Sequence, residues 1–252
     1  MFSLNNILCM LSVFSACHGV DIQKYFKVCN RNALDVNKCL VDAVQKGIAA
    51  MVNGIPDLDV QPIDPIHKDD YKMSFNSSVS RGSLLFKNIR FEGMKSAVVH
   101  DARLQADKDK FHLEVDLTTP SVSVWADYNG EGEFKTLKVA AYGTGNTTLK
   151  DLVYTWKIDG VPEKIGNETY VRIKDFYMRP TITRMYTYFT NENLETKDMC
   201  EQAVTYANEN WKESFNEFIP CAQENWQKYG VETANKVFLK VPYDQLFPAT
   251  NA

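Results

Sequence analysis

The sequence predicts an α+β fold in which one antiparallel sheet rolls against a long C-terminal helix, and three features of its patterning carry that reading. Near the N-terminus apolar residues recur at helical spacing. From about Tyr71 to Phe189 they alternate with polar residues at period two, and the last third returns to helical spacing. Every strand segment then has one apolar face, and the final helix offers an apolar surface for that sheet to wrap. A single rolled domain satisfies both.

Residues 1–19 stand apart. Ile7 to Phe14 is almost wholly apolar, no charged side chain precedes Asp21, and Ala16-Cys17-His18-Gly19 supplies small residues near a cleavage point. The pattern is that of a secretory signal peptide, and its apolar run is shorter than the ~20 residues needed to span a bilayer. Residues 20–252 are therefore expected to form one extracellular domain, a monomer without a stable membrane anchor. The formal charge is −4. Without a basic patch, nucleic acid is not an expected partner, and no Lys/Arg cluster suits an anionic membrane surface. Three triplets, Asn76-Ser77-Ser78, Asn146-Thr147-Thr148 and Asn167-Glu168-Thr169, offer glycan acceptors at Asn76, Asn146 and Asn167 in a secreted chain.

Cys9 and Cys17 would leave with the signal, so four of the six cysteines remain: Cys29, Cys39, Cys200 and Cys221. Cys29 and Cys39 enclose a short polar loop, and a bridge there is the first choice in an oxidising compartment. If one straight helix joined Cys200 to Cys221 they would lie about 31 Å apart, beyond the ~7 Å that a disulfide tolerates. They pair only if the chain reverses between them. No CxxC or CxxxC pair supports a zinc site, and neither metal nor cofactor is expected.

A first helix should begin near Asp35 to Asn37 and run to Val52, with Leu40, Val44, Ile48 and Met51 on its apolar face. Asn53-Gly54-Ile55-Pro56 stops it, and Pro56, Pro62 and Pro65 hold an extended connector. Phe111, Leu113, Val115 and Leu117 then alternate with His112, Glu114, Asp116 and Thr118, which predicts a half-buried strand. Leu152, Tyr154, Trp156 and Ile158 repeat the pattern. Shorter alternations appear at Val122/Val124/Ala126, Leu137/Val139/Ala141 and Val171/Ile173. Turns are expected at Asn129-Gly130, Asp159-Gly160 and Ile165-Gly166-Asn167, giving an antiparallel meander. Thr196 or Asp198 can cap the C-terminal helix, whose broad stripe includes Met199, Tyr206, Trp211 and Phe215, and Pro220 should kink or divide it. The tail from Val241 to Pro248 is too apolar to hang free and should dock on the body.

Several of these motifs, taken in order, resemble the takeout / juvenile hormone-binding family. Cys29 and Cys39, Gly54-Ile55-Pro56-Asp57-Leu58 and Ile63-Asp64-Pro65 look like its N-terminal block. Tyr128-Asn129-Gly130 and Gly143-Thr144-Gly145 resemble mid-chain features, and Asn208-Glu209-Asn210-Trp211 with Val241 to Phe247 is similar to its C-terminal signature. The resemblance implies a tubular lipid-binding super-roll, with a curved sheet around a long helix and an internal hydrophobic tunnel. It also implies a Cys29–Cys39 bridge and a carrier of juvenile hormone or another apolar molecule, with links to circadian output and feeding. The hormone-binding branch forms its second bridge from a mid-chain cysteine that this sequence lacks, which leans the likeness toward takeout-like members.

Catalytic constellations are missing. Gly82-Ser83-Leu84-Leu85 lacks the second Gly of a nucleophile elbow, HExxH does not occur, and no pair among the 32 carboxylates is singled out. No catalytic residue is assigned. A carrier needs apolar side chains facing an enclosed space with a few orienting polar groups. Leu113, Val115, Leu117, Leu152, Tyr154, Trp156, Met199, Tyr206 and Phe215 are the lining candidates, with Tyr128 and Tyr142 able to hydrogen-bond a ligand carbonyl or epoxide. Taken one by one, the apolar positions are more often explained by plain core packing, and either tyrosine could simply end a strand with its hydroxyl in water. An apolar ligand losing ~500 Å² of surface gains about 12 kcal/mol. Subtracting ~4 kcal/mol for association leaves roughly micromolar binding or better. The competing reading is an extracellular protein–protein signalling factor that needs no ligand. It would have a filled core, an exposed apolar patch and a receptor that sequence does not identify.

Overall fold

The structure, a computed structural model, describes residues 21–76, 80–134 and 136–249. The expected signal peptide lies outside the described residues. The first helix, α1 (Val36–Met51), buries Leu40, Ala43, Gly47 and Ile48. Gly54 follows at φ +79°, where an added Cβ would meet the Val60 and Pro62 backbone, so the stop requires glycine. Cys29 and Cys39 are bridged, with Cα atoms 5.8 Å apart, tying the N-terminal segment to α1.

Seven antiparallel strands follow: β1 (Ile66–Asn76), β2 (Ser80–Glu92), β3 (Val98–Ala106), β4 (Phe111–Phe134), β5 (Leu137–Ile165), β6 (Glu168–Tyr177) and β7 (Arg184–Phe189). The main order is β1-β2-β4-β5-β6, while β3 pairs with β4 and β7 with β5. Residues 98–106 pair with the start of β4 and residues 80–92 with its end, so β2 and β3 lie in line along one side of β4. On β5, β6 and β7 share a side in the same way. The whole sheet is thus built on one long β4–β5 hairpin.

That hairpin corrects the sequence reading. Asn129-Gly130 and Asp159-Gly160 are not turns; both lie inside strands, and only Ile165-Gly166-Asn167 reverses the chain as expected. The reason is close approach. A Cβ on Gly130 would collide with Leu84, and one on Gly160 would sit 2.9 Å from the Arg172 carbonyl oxygen. The short alternating segments therefore fuse into two very long strands.

At the C-terminus α2 (Lys197–Glu209), α3 (Trp211–Phe238) and α4 (Tyr243–Leu246) succeed one another. The break falls at Asn210 (φ −105°, ψ 40°), and α3 runs on through Pro220. The sequence expectation of a division at Pro220 is corrected accordingly. Cys200 on α2 and Cys221 on α3 are both free thiols.

Both margins of the sheet meet α3, which makes the sheet curl. Lys68 on edge strand β1 donates to Asn225 at 3.1 Å. On the other margin the Asn235 carboxamide accepts from Ile173 N and donates to Ile173 O, each at 2.9 Å. Asn208 treats Thr187 of β7 alike, at 2.8 Å both ways. Each asparagine thus supplies the missing ladder partner of an edge residue. The result is a curled half-barrel completed by C-terminal helices, an α+β super-roll.

Candidate ligand-binding site

Inner and outer faces of the half-barrel can be followed along β4 and β5. Phe111, Leu113, Val115, Leu117 and Thr119 are buried on one face, and Ile158, Trp156, Tyr154 and Leu152 lie opposite the last four. Pro120 and Asp151 (φ +49°) then fall between the paired rows, and burial resumes at Val122 and Leu149. Both strands change phase at this crease. Beyond it the inner positions are Val124, Ala126, Tyr128, Gly130 and Gly132 on β4, facing Thr147, Gly145, Gly143, Ala141 and Val139 on β5.

The two halves differ in bulk. On the near side of the crease the inner residues are large and form a packed core. Phe111 meets the rings of Phe238 at 5.2 Å, Phe247 at 5.5 Å and Tyr243 at 6.4 Å. The apolar tail docks as the sequence predicts, held also by Arg31, which reaches Asp244 at 2.7 Å and the Tyr243 ring at 4.6 Å. On the far side the inner wall of β4 and β5 carries glycine, alanine, valine and Thr147, with Tyr128 among them as a large side chain. Cross-strand partners Tyr71 and Phe86, and Met73 and Leu84, extend that wall through β1 and β2. They share the register of Tyr128 and Gly130, yet none of the four is fully buried. The inner glycines are themselves covered, Gly130 by the Leu84 side chain, Gly145 by the Phe189 ring and Gly143 by Thr190, so this half of the concave face has small inner residues on β4 and β5 and incompletely buried large ones on β1 and β2.

An open groove of about 700 Å³ lies at the seam between β1 and α3, with Tyr71 and Val231 beside Lys68, Lys72, Lys228, Glu224 and Glu232. Tyr71 belongs to both the groove and the inner wall. Inside, Tyr128 donates to the Thr190 carbonyl at 2.7 Å and lies 3.7 Å from the Cys200 sulfur. The Tyr128 and Phe189 rings meet edge to face at 5.0 Å. Burial raises the Tyr128 and Tyr71 hydroxyl pKa values, and pushes that of Tyr154 up to about 12. These phenols stay neutral at physiological pH; the Tyr154 hydroxyl is paired with Thr119 at 2.8 Å in the packed core, while Tyr128 and Tyr71 lie beyond the crease. The charged ladder of Arg103, Asp116, Glu114 and Lys157 occupies the outer face instead.

The sequence-predicted residues fall into three groups. Leu113, Val115, Leu117, Leu152, Tyr154 and Phe215 are buried in the packed core, with Trp156 half-buried against it. Tyr128 sits on the inner wall of the small-residue half, and Met199 is half-buried on α2. Tyr142 stands on the outer face, 44% exposed, because it alternates with inward Gly143, and Tyr206 is 58% exposed on α2. Tyr71, Met73, Leu84 and Phe86 were not singled out from sequence. A period-two spacing of glycines, Gly130/Gly132 and Gly143/Gly145, is the signal that could have marked the small wall. Of the acceptor triplets, Asn146 lies within β5 and Asn167 in the β5–β6 turn. Asn76 ends β1, and Ser77 and Ser78 lie outside the described residues.

Comparison with known proteins agrees with this fold. The family model described as haemolymph juvenile hormone binding protein matches residues 7–248. The circadian clock-controlled protein daywake of Drosophila yakuba is 25% identical over 244 residues, 92% of each chain. Its Drosophila melanogaster counterpart is 21% identical over 229 residues, 86% of each. The crystal structure of Epiphyas postvittana Takeout 1 superposes with a TM-score of 0.72 at 23% identity, covering 88% of this chain and 99% of that one.

Proposed function

The chain belongs to the haemolymph juvenile hormone binding protein family, and from that premise we propose that it is a secreted, monomeric carrier of one small hydrophobic molecule. The ligand is of terpenoid or fatty-acid size and lies along the inner wall beyond the crease, enclosed by the curled sheet and by α2 and α3. One observation carries the reading: on the concave face beyond the crease Tyr71, Met73, Leu84 and Phe86 stay only partly buried, whereas Phe111, Leu113, Val115, Leu117 and Thr119 on the near side are buried. A fold with nothing to hold would fill both halves alike, because voids between apolar walls forfeit dispersion contacts.

The transport needs no chemistry. Neutral tyrosine hydroxyls give orientation, and burial of apolar ligand surface gives affinity. The Cys29–Cys39 bridge supports an oxidising destination, reached after loss of residues 1–19. The clock-controlled description of the two Drosophila relatives supports a place for this carrier in rhythm-linked signalling. Native mass spectrometry of the protein from its own source, before and after organic extraction, tests the proposal. A bound species removed by solvent is expected. A single ligand-free mass, with no uptake of a fluorescent fatty acid by the extracted protein, would defeat it.

A further inference from the structure

The outer face of the half-barrel exposes aromatic rings that neither the core nor the inner wall explains. Trp125 is 50% exposed and Tyr188 is 63% exposed. Both are tied to the same residue: Trp125 is the direct β4 partner of Asn146, and Tyr188 is its direct β7 partner. Directly opposed residues hold their Cβ atoms about 5 Å apart. The Asn146 carboxamide therefore emerges between two rings that lie open to solvent. Asn146 heads the triplet Asn146-Thr147-Thr148, and the Thr148 hydroxyl donates to its Oδ1 at 3.3 Å. One Nδ2 hydrogen points at the Val124 carbonyl, 3.4 Å away, which leaves the second free.

The geometry points to Asn146 as an N-glycosylation site whose first sugar is seated on Trp125 and Tyr188. In the transfer the Asn146 Nδ2 forms a bond to the sugar C1 of a lipid diphosphate-linked oligosaccharide. The C1–oxygen bond breaks, the diphosphate leaves with its electron pair, and Nδ2 gives up one proton to base. The remaining N–H keeps its direction toward Val124. N-acetylglucosamine presents an apolar face of axial C–H groups, and flat, electron-rich rings on either side of its attachment point fit that face. Covering the pair also removes an apolar patch from the solvent side of the sheet. Asn167, exposed in the β5–β6 turn, offers a second acceptor without such a strand-paired seat.

The inference rests on the secreted reading, so the test imposes secretion: the chain is expressed in insect cells behind a heterologous signal. Glycopeptide mass spectrometry should find Asn146 occupied. Carbon-labelled sugar observed by NMR should show the acetyl or ring protons of the Asn146-linked residue shifted upfield by the aromatic currents, with Asn167-linked sugar unshifted. Combining Trp125→Ala with Tyr188→Ala should abolish the shift, and Tyr188→Ala alone should roughly halve it should the double variant fail to fold. A bare Asn146, with or without glycan at Asn167, overturns the site. An occupied Asn146 whose sugar is unshifted, or is shifted equally in the variants, overturns the seat. These results leave the ligand-carrier reading untouched, since it is tested by bound mass.

Discussion

Truncating one large side chain on each side of the crease should give opposite results for stability and for binding. Leu117 is 1% exposed and packed on the core side. Removing its side chain opens a cavity among rigid neighbours, so Leu117→Ala should cost about 3–5 kcal/mol. Phe86 lies on the far-side wall, paired with Tyr71 and Tyr128, and is already partly exposed. In the proposed function the ligand space lies beside it, so there is no cavity penalty, and Phe86→Ala should cost only about 1–1.5 kcal/mol of lost burial. Affinity should respond in reverse. Losing about 60 Å² of ring contact with an apolar ligand removes ~1.5 kcal/mol, roughly a tenfold weaker Kd. Leu117→Ala should leave Kd within about twofold, since core truncation acts on folding and not on the wall. Urea denaturation measures the first quantity and displacement of a fluorescent fatty acid the second. Comparable stability losses at the two positions, with Kd unchanged in Phe86→Ala, would show that the far half is as solid as the near half.

Cys39→Ser should lower stability by about 3 kcal/mol, from the entropy of a loop of roughly ten residues, read as a fall in Tm with and without reductant. Asn235→Ala leaves the Ile173 amide and carbonyl unpaired at the β6 margin, and should cost about 2 kcal/mol and raise hydrogen exchange at Ile173. The outer-face carboxylates set an acid limit. Hydrogen bonding to Arg103 holds the Asp116 carboxyl below its usual range, and bonding to Lys157 and then Arg103 does the same for Glu114. Folded-state pKa values below the unfolded ones mean stability present above about pH 4 and lost as pH falls through the folded values. Thermal melts should therefore be flat from about pH 7 to 5 and decline below about 4. Arg103→Ala should flatten that decline and cost about 1 kcal/mol at neutral pH, a modest figure because Arg103 and Asp116 side chains are 40% and 37% exposed.

Much of this fold was legible in the sequence because hydrophobic period reports element type directly. α1 begins within a residue of its expected start, the Phe111 to Leu117 alternation is the core of β4, and the apolar tail docks. Strand length was hidden, because glycine has two uses that look identical in sequence. Gly166 turns the chain at φ +63°, while Gly130 and Gly160 let neighbouring groups cross an unbroken strand. The helix break falls at Asn210, two residues after Asn208, whose side chain pairs with Thr187 of β7, a tertiary contact that local propensity cannot reveal. Of the candidate lining residues, most fall in the packed core and not on the wall beyond the crease. Large alternating residues are conspicuous and mark where the interior is full. Beyond the crease the inner positions are mostly glycine, alanine and valine, whose alternation is weak in sequence, and Tyr128 is the sequence candidate that lies on that wall.

Photolabelling tests the central claim most directly. A fatty acid bearing a diazirine in its chain is bound to the secreted, solvent-extracted protein, irradiated, and the labelled peptides are sequenced. Adducts should concentrate in 71–91, 122–130 and 139–149, and should be suppressed by excess unlabelled fatty acid. Label confined to 111–119 and 152–158, or unsuppressed label spread over the outer face, would contradict the account.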